Sequence, residues 1–359
     1  MAAMRFLPIT LACAFLTLLA PALVQASEVL VAAIDGPITA ADLELVREAI
    51  AQAEGMGAEA IVFTLDTPGG GLQETLDIAS AFDQAKVPVI AYVYPENAAA
   101  WSAGTFILMS ADVAAMAPYS VIGSTQPVQS GPEGTEFINE SKIINAIVKK
   151  FEEKARQRGR NVTVVQEFVK RNLNLNPEEA LASGVIEIVA DDVDGLLAQA
   201  DGLSVKGRTL AVSGASVAAF APSLRVQALG IISDPMLASI LMLLGVYAII
   251  FGLSSPGLGS EIAGVMLIAL ALLGLGFNIN YTAMFLIVFG IALLLFELHS
   301  PGFGVFGIAG MASIILGSVF IVPLSYPNYY VEPGFAQSVI LAVIVPSLII
   351  AGFFLFVLF

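Results

Sequence analysis

The chain has 359 residues, 57% of them hydrophobic and 13% charged, with a net charge of −15, a composition outside the range of ordinary soluble proteins. The acidic balance argues against a nucleic-acid partner, because little is available to neutralise phosphate. With one cysteine (Cys13) and one histidine (His299, in the apolar last third), a disulfide framework, a Cys/His zinc site and a Ser-His-Asp triad are excluded. Hydrolytic chemistry must run on Ser, Lys, carboxylates and backbone amides, and no metal or cofactor is expected.

Charge is unevenly placed. All 15 Lys and Arg residues lie at or before Arg225, and only Asp234, Glu261, Glu297 and Glu332 carry charge beyond it. The spacing predicts a water-soluble domain followed by a membrane domain. Residues 1–26 combine Arg5, an apolar run from Leu7 to Leu19 and a small-residue exit at Ala26, which reads as a signal peptide. Cys13 falls within that apolar run and is a poor lipid acceptor.

From Glu28 the pattern alternates. Strands are expected at Val29–Ile34, Ala60–Leu65, Val87–Val93 and Val185–Val189, and helices at Thr39–Gly55 and Leu72–Ala85. Such alternation predicts βαβ units around a largely parallel sheet. The expected division is 1–26 signal peptide, 27–205 α/β domain, 206–232 polar connector and 233–359 membrane domain. In the last, apolar runs at 236–253, 261–277, 282–298, 305–322 and 337–359 are each long enough to cross the ~30 Å hydrocarbon core. A direct repeat lies among them: Phe251-Gly-Leu-Ser-Ser-Pro-Gly-Leu-Gly259 returns as Phe296-Glu-Leu-His-Ser-Pro-Gly-Phe-Gly304. A helix, a Ser-Pro-Gly-x-Gly break and a second helix used twice suggest a packed bundle.

Two stretches carry chemistry. Leu65-Asp66-Thr67-Pro68-Gly69-Gly70-Gly71 is a glycine turn after a strand, able to bare amides towards an oxyanion; a tight structural turn explains it as well. Ala98-Ala99-Ala100-Trp101-Ser102-Ala103-Gly104-Thr105 surrounds one serine with small residues before an apolar helix, where the Ala103 N–H could assist an oxyanion; the bland alternative is a helix-capping hydroxyl. Without a histidine, the base for Ser102 must be a lysine kept neutral by desolvation. Lys142 is the only lysine between Ser102 and Lys149. It follows a stretch read as flexible (Gln129–Thr135) and opens an amphipathic helix; on its residues alone an ordinary exposed lysine is the favoured reading.

Taken together, Leu65-Asp-Thr-Pro-Gly-Gly70, Pro88-Val-Ile-Ala-Tyr-Val-Tyr-Pro95, Ala100-Trp-Ser-Ala-Gly-Thr105, Ser141-Lys142-Ile143, Gly159-Arg-Asn161 and Pro177-Glu-Glu-Ala-Leu181 resemble the NfeD family of membrane-bound serine proteases. The resemblance implies a ClpP/crotonase-like α/β fold followed by an all-α transmembrane bundle, and a distant kinship with signal peptide peptidase A. By it, Ser102 matches the nucleophile, Lys142 the catalytic lysine, and Gly69, Gly70 and Ala103 the oxyanion hole. It implies a serine endopeptidase that cleaves hydrophobic segments, with a stomatin/prohibitin-like membrane protein as substrate or partner. It further implies membrane lipid around the helices, and a homodimer or higher oligomer. The signal peptide implies a bacterial inner-membrane protein with its protease domain on the periplasmic side.

Relatives usually continue into an OB-like barrel, whereas this sequence stops at Phe359 inside an apolar run, so the barrel is expected to be truncated or absent. Trp101 before the nucleophile suggests a narrower specificity pocket. Glu261, Glu297 and His299, close to the breaks, are read as reaching the membrane interface, and Asn161-Val-Thr163 as an incidental sequon. A non-proteolytic scaffold for stomatin-like proteins remains the alternative. An acyl-CoA enzyme of crotonase type has little support, because an exported domain would not meet CoA.

Overall fold

The computed structural model describes residues 27–131, 134–138, 140–254, 259–275, 279–299 and 304–320. The expected signal peptide, with Cys13, the apolar run 337–359 and the central residues of both Pro-Gly breaks lie outside the described residues.

β-Branched runs become strands and amphipathic runs become helices in the order expected at the start of the chain. β1 (Glu28–Asp35), α1 (Ala40–Met56), β2 (Ala60–Asp66), α2 (Leu72–Gln84) and β3 (Val89–Val93) come first. Thr39 starts α1 with a reciprocal capping box to Asp42, and Gly57 ends it at φ +71°, both local signals written in the sequence. Then follow β4 (Ala99–Trp101), α3 (Ala103–Ser110), β5 (Val113–Met116), β6 (Val121–Gly123), β7 (Val128–Gly131), β8 (Gly134–Phe137) and α4 (Ser141–Gln157). Within the stretch before Lys142, Val128–Gly131 and Gly134–Phe137 pair antiparallel, Val128 opposite Phe137. The domain continues through α5 (Val162–Lys170), β9 (Asn174–Leu175), α6 (Pro177–Ala182), β10 (Ile188–Val189), α7 (Val193–Ala200), β11 (Ser204–Val205) and β12 (Arg208–Thr209).

The main sheet has the strand order β10-β5-β3-β2-β1-β13, where β13 is Ser216–Ala219, and every pairing is parallel. Its sixth strand comes from the region expected to be a connector. β13 pairs with β1 through Glu28↔Ser216 to Val31↔Ala219, because the β1 edge would otherwise leave a row of unpaired amides. Only Ile188–Val189 of the expected strand Val185–Val189 pairs, against β5. Both faces of the sheet are covered, as parallel sheets require. On one side Phe63 and Phe82 stack at 5.1 Å inside a core that takes in α1 to α5. On the other, Val62, Ile90 and Tyr92 pack on Leu196 and Leu197 of α7. Each fully buried large apolar side chain contributes about 1.5–3 kcal/mol.

Two arginines tie the end of α3 to the turn after α4. Arg160, 4% exposed, donates to the carbonyls of Leu108 (3.2 Å) and Met109 (2.9 Å) and forks onto Glu187 at 2.9 and 2.7 Å. Arg158 donates to the Ser110 carbonyl at 3.0 Å. The last carbonyls of α3, which a helix leaves without partners, are thus satisfied by guanidinium groups.

Beyond β13, α8 (Leu224–Ser233) leads into α9 (Pro235–Ser254), α10 (Ser260–Gly274), α11 (Ile279–His299) and α12 (Val305–Phe320). Of the five expected helices, four fall among the described residues. Pro235–Gly252, with a mean hydropathy of 2.1, is long and apolar enough to cross a membrane. The sequence repeat becomes two like hairpins. A Cβ on Gly245 would lie 2.9 Å from the Gly264 carbonyl, and one on Gly290 would lie 2.5 Å from the Gly310 carbonyl. Missing side chains bring the paired helices into backbone contact in both copies. Glu297 does more than reach outward, as it accepts the amides of Gly304 (3.1 Å) and Gly307 (3.0 Å) and so caps α12. The bundle joins the α/β domain through α8, where Arg225 donates to Glu44 of α1 at 2.9 Å with both side chains under 10% exposed.

Two outcomes follow. Replacing Arg160 with Met should lower stability by about 3 kcal/mol, since it strands Glu187 and two carbonyls. The urea midpoint read by fluorescence of Trp101, the single tryptophan, checks this for the α/β domain alone. Gly290→Val should lower the aggregation temperature of the detergent-solubilised chain by several degrees. Gly230→Val, where nothing lies within 4 Å of a new Cβ, should cost little in comparison.

Candidate active site

The site is assembled where β2 and β3 end. Beyond β2 the chain does not turn away at once: Thr67, 1% exposed, pairs with β4. Its N–H donates to the Ala99 carbonyl (2.7 Å), and the Trp101 N–H donates to its carbonyl (3.0 Å). The glycine turn is thereby laid directly against the serine. Gly69 stands at φ +106°, and a Cβ there would sit 2.8 Å from Ser102 Cβ. A Cβ on Gly70 would lie 2.3 Å from the Ile38 carbonyl. Gly104 would meet Thr67 Cγ2 at 2.6 Å. The small residues seen in the sequence are thus demanded by the approach of two backbones.

Ser102 has φ 51° and ψ −109°, a conformation that costs a non-glycine residue on the order of 1–3 kcal/mol. Neighbours hold it there. Its N–H donates to the Gly123 carbonyl at 3.2 Å. Thr105, fully buried, donates through Oγ1 to the Ala100 carbonyl (2.7 Å) and accepts from the Gly123 N–H (2.9 Å). Ser102 occupies the N-cap position of α3 but makes no side-chain cap hydrogen bond. The capping alternative is therefore not realised, and its half-buried hydroxyl faces other uses.

Gly69, Gly70 and Ala103 differ in what their amides can do. The Gly69 N–H donates to Thr67 Oγ1 at 3.0 Å, so it is already spent, and Gly69 acts as a wall. Ile38 exchanges hydrogen bonds with Gly69 and Gly71, each at 2.9 Å, which turns the Gly70 amide the other way. The Ala103 N–H opens α3 and has no intrahelical acceptor. Gly70 and Ala103 both line a cavity of about 630 Å³.

Ser102 and Lys142 line that same cavity, together with apolar side chains including Leu72, Phe106, Ile143 and Phe151. Lys142 is the second residue of α4 and is exposed. The expected desolvation is therefore not provided by the chain's own side chains. Trp101 is 45% exposed and is not among the lining residues, so it does not narrow the pocket as expected. Behind the turn, burial pushes the Asp42 carboxyl up, opposed by hydrogen bonds from Thr39. Asp35 is raised by burial and by Asp66 on the adjacent strand. Sequence reasoning missed Thr67 and Thr105; both sit inside small or apolar runs, and nothing in those runs marks a hydroxyl that bridges two backbones. Among the described residues no cluster of His, Cys, Asp and Glu could hold a metal.

Comparison with known proteins bears on this arrangement. Residues 28–201 match the NfeD1b N-terminal domain, and 236–359 match the NfeD integral membrane domain. The chain is 35% identical over 350 residues to the membrane-bound protease PH1510 of Pyrococcus horikoshii, covering 95% of this chain and 79% of that protein. It is 25% identical over 288 residues to the membrane protein NfeD1b of Bacillus subtilis, covering 79% and 64% respectively. Two solved structures of a 1510-N membrane-bound stomatin-specific protease resemble the α/β domain. A serine-to-alanine variant is 39% identical with a TM-score of 0.53, covering 55% of this chain and 99% of that one. A lysine-to-alanine variant in complex with a substrate peptide is 37% identical with a TM-score of 0.56, covering 58% and 99%. The α/β domain thus shares the fold of these solved proteases. The chain belongs to the NfeD family and is a membrane-bound serine protease.

Proposed function

We propose that the chain is a serine endopeptidase with a Ser102–Lys142 dyad, which cleaves apolar segments of stomatin- or prohibitin-like membrane proteins. The observation that carries the reading is one cavity lined by Ser102, Lys142, Gly70 and Ala103, with the serine hydroxyl uncommitted as a cap. In acylation the Ser102 Oγ–H bond breaks as Lys142 Nζ takes the proton, and Oγ bonds to the scissile carbonyl carbon. The carbonyl electron pair moves onto its oxygen, where the amides of Gly70 and Ala103 and the N-terminal end of α3 would stabilise it. Collapse of this intermediate expels the amine, which recovers the proton from Lys142, and water then releases the acyl group. A bound apolar segment would itself cover the exposed lysine and supply the desolvation that a neutral amine needs.

Apolar lining side chains favour a hydrophobic substrate. The stomatin-specific relatives support its source. A homodimer or higher oligomer set in lipid, with the protease domain on the periplasmic face of a bacterial inner membrane, completes the proposal.

With the full chain in micelles and a fluorogenic apolar peptide, Ser102→Ala should abolish turnover. Lys142→Ala should lower it by about 10²–10⁴-fold. A folded Lys142→Ala protein that turns over, or reacts with a fluorophosphonate, at the unmodified rate removes the dyad. A cysteine at the exposed position Glu178 should react with a membrane-impermeant maleimide in intact spheroplasts. Reaction only after lysis would put the domain inside, and mass photometry of the solubilised chain reads the oligomer.

A further inference from the structure

We propose that Lys150 is a specificity-determining residue that receives a carboxylate of the bound substrate, about three or four residues from the scissile bond; the inference rests on the dyad reading above. Helix α4 carries five basic residues, Lys142, Lys149, Lys150, Lys154 and Arg156. Lys149 and Arg156 share Glu152, and Lys154 pairs with Asp83. Among the described residues Lys142 and Lys150 make no ion pair. These two are also the basic residues that line the cavity of Ser102. The cations of α4 are thus divided between those neutralised within the fold and those turned to the substrate.

Their spacing sets the register. Lys150 lies eight residues beyond Lys142 on the same helix, about 12 Å along it by helical rise. Between them Ile143, Ala146 and Ile147 line the cavity, and Leu72 and Leu76 of α2 line it too. A substrate laid extended along this apolar strip advances about 3.3 Å per residue. With its scissile bond at Ser102, its third or fourth residue reaches the second amine.

Charge selects what sits there. Lys150 is exposed, so its ammonium is hydrated while the cavity is open. An apolar segment that fills the cavity strips that water, and a cation without a partner is then penalised. A carboxylate at the third or fourth residue removes the penalty and adds an attraction. The Glu140 carboxylate lines the cavity near Lys142 and repels an acid placed close to the reacting bond. The site therefore accepts an acid at one distance and refuses it at another, which is specificity by both attraction and repulsion. The matching carboxylate is either an acidic side chain or the free C-terminus of a short substrate. A lysine that only covered apolar surface with its stem would show no preference of this kind.

The test uses the full solubilised chain and scans one glutamate, against glutamine, through the fluorogenic apolar peptide on both sides of the scissile bond. The glutamate peptide should be favoured about fivefold in kcat/KM at a position three or four residues from the bond, the upper end for an exposed ion pair. High salt should weaken that preference. Lys150→Met, which keeps the stem, should bring the ratio close to one, and Lys150→Glu should reverse it in favour of a lysine at the same position. If the methionine variant does not accumulate as folded protein, Lys150→Gln is read in the same way. Peptides ending at that position, as free acid and as amide, assign the source. A preference lost on amidation assigns the C-terminus, and a glutamate preference within a longer amidated peptide assigns a side chain. A flat scan in the unmodified protein overturns the proposal, as does a preference that survives in Lys150→Met. Anisotropy of labelled glutamate and glutamine peptides bound to Ser102→Ala reads the same ratio without turnover. A fully active Lys142→Ala protein with the acid preference intact removes the dyad and keeps the role of Lys150. A dead Lys142→Ala beside a flat scan removes the role of Lys150 alone.

Discussion

The site depends on a single piece of backbone pairing, the two hydrogen bonds by which Thr67 joins Ala99 and Trp101. They bring the end of β2 and the segment after β3 into register, so that the turn after one strand lies against the serine after the other. Everything close to the nucleophile follows from that contact. Gly69 and Gly104 have no room for a Cβ, Ser102 is forced to positive φ, and its hydroxyl is left at the mouth of a cavity instead of capping its helix. Thr105 repeats the device one layer deeper by linking Ala100 to Gly123. Strain at Ser102 is thus supported by ordinary hydrogen bonds whose other ends lie in the sheet.

A second set of contacts relates the serine to the lysine. Ser102 opens α3 and Lys142 opens α4, 40 residues apart in sequence, and neither helix is tied to the other by sequence neighbours. Arg158 and Arg160 close that gap from the far end by holding the terminal carbonyls of α3. Phe106 and Phe151 meet edge to face at 4.7 Å between the two helices. The open ends then form opposite walls of one cavity. The hairpin of β7 and β8 contributes Val128 to the lining.

The membrane helices obey a different constraint. Apolar side chains gain little by leaving lipid, so close packing must come from small residues and satisfied backbone groups. The repeat meets both demands twice, with paired glycines in each hairpin. The two breaks differ in detail. Glu297 on α11 faces Gly307 across its hairpin, whereas in the first hairpin Gly252 on α9 faces Glu261. Each copy therefore holds one carboxylate against one glycine, with the two residues exchanged between the helices. Arg225 and Glu44 then join this bundle to α1, within the layer that covers the sheet beside the glycine turn.

Much of this is legible in the order of the residues alone. Periodicity marks β1 to β3, α1 and α2. The charge boundary at Arg225 marks the membrane part, the repeat marks its hairpins, and the lack of a usable His or Cys leaves Ser and Lys as the reactive pair. These features are local or compositional, and they survive folding unchanged. Four things are decided only in three dimensions. Ser216–Ala219 becomes a sheet strand because β1 has an open edge. The Gly69 amide turns to Thr67 Oγ1, and Trp101 turns away from the cavity, because the pairing with β4 sets both directions. Thr125 comes to share a cavity wall with Ser102 and Lys142 because the segment after β6 is anchored to the carbonyls of Phe168 and Leu173. Such contacts join residues tens of positions apart, and a sequence records what each residue can do without recording which neighbour it will meet.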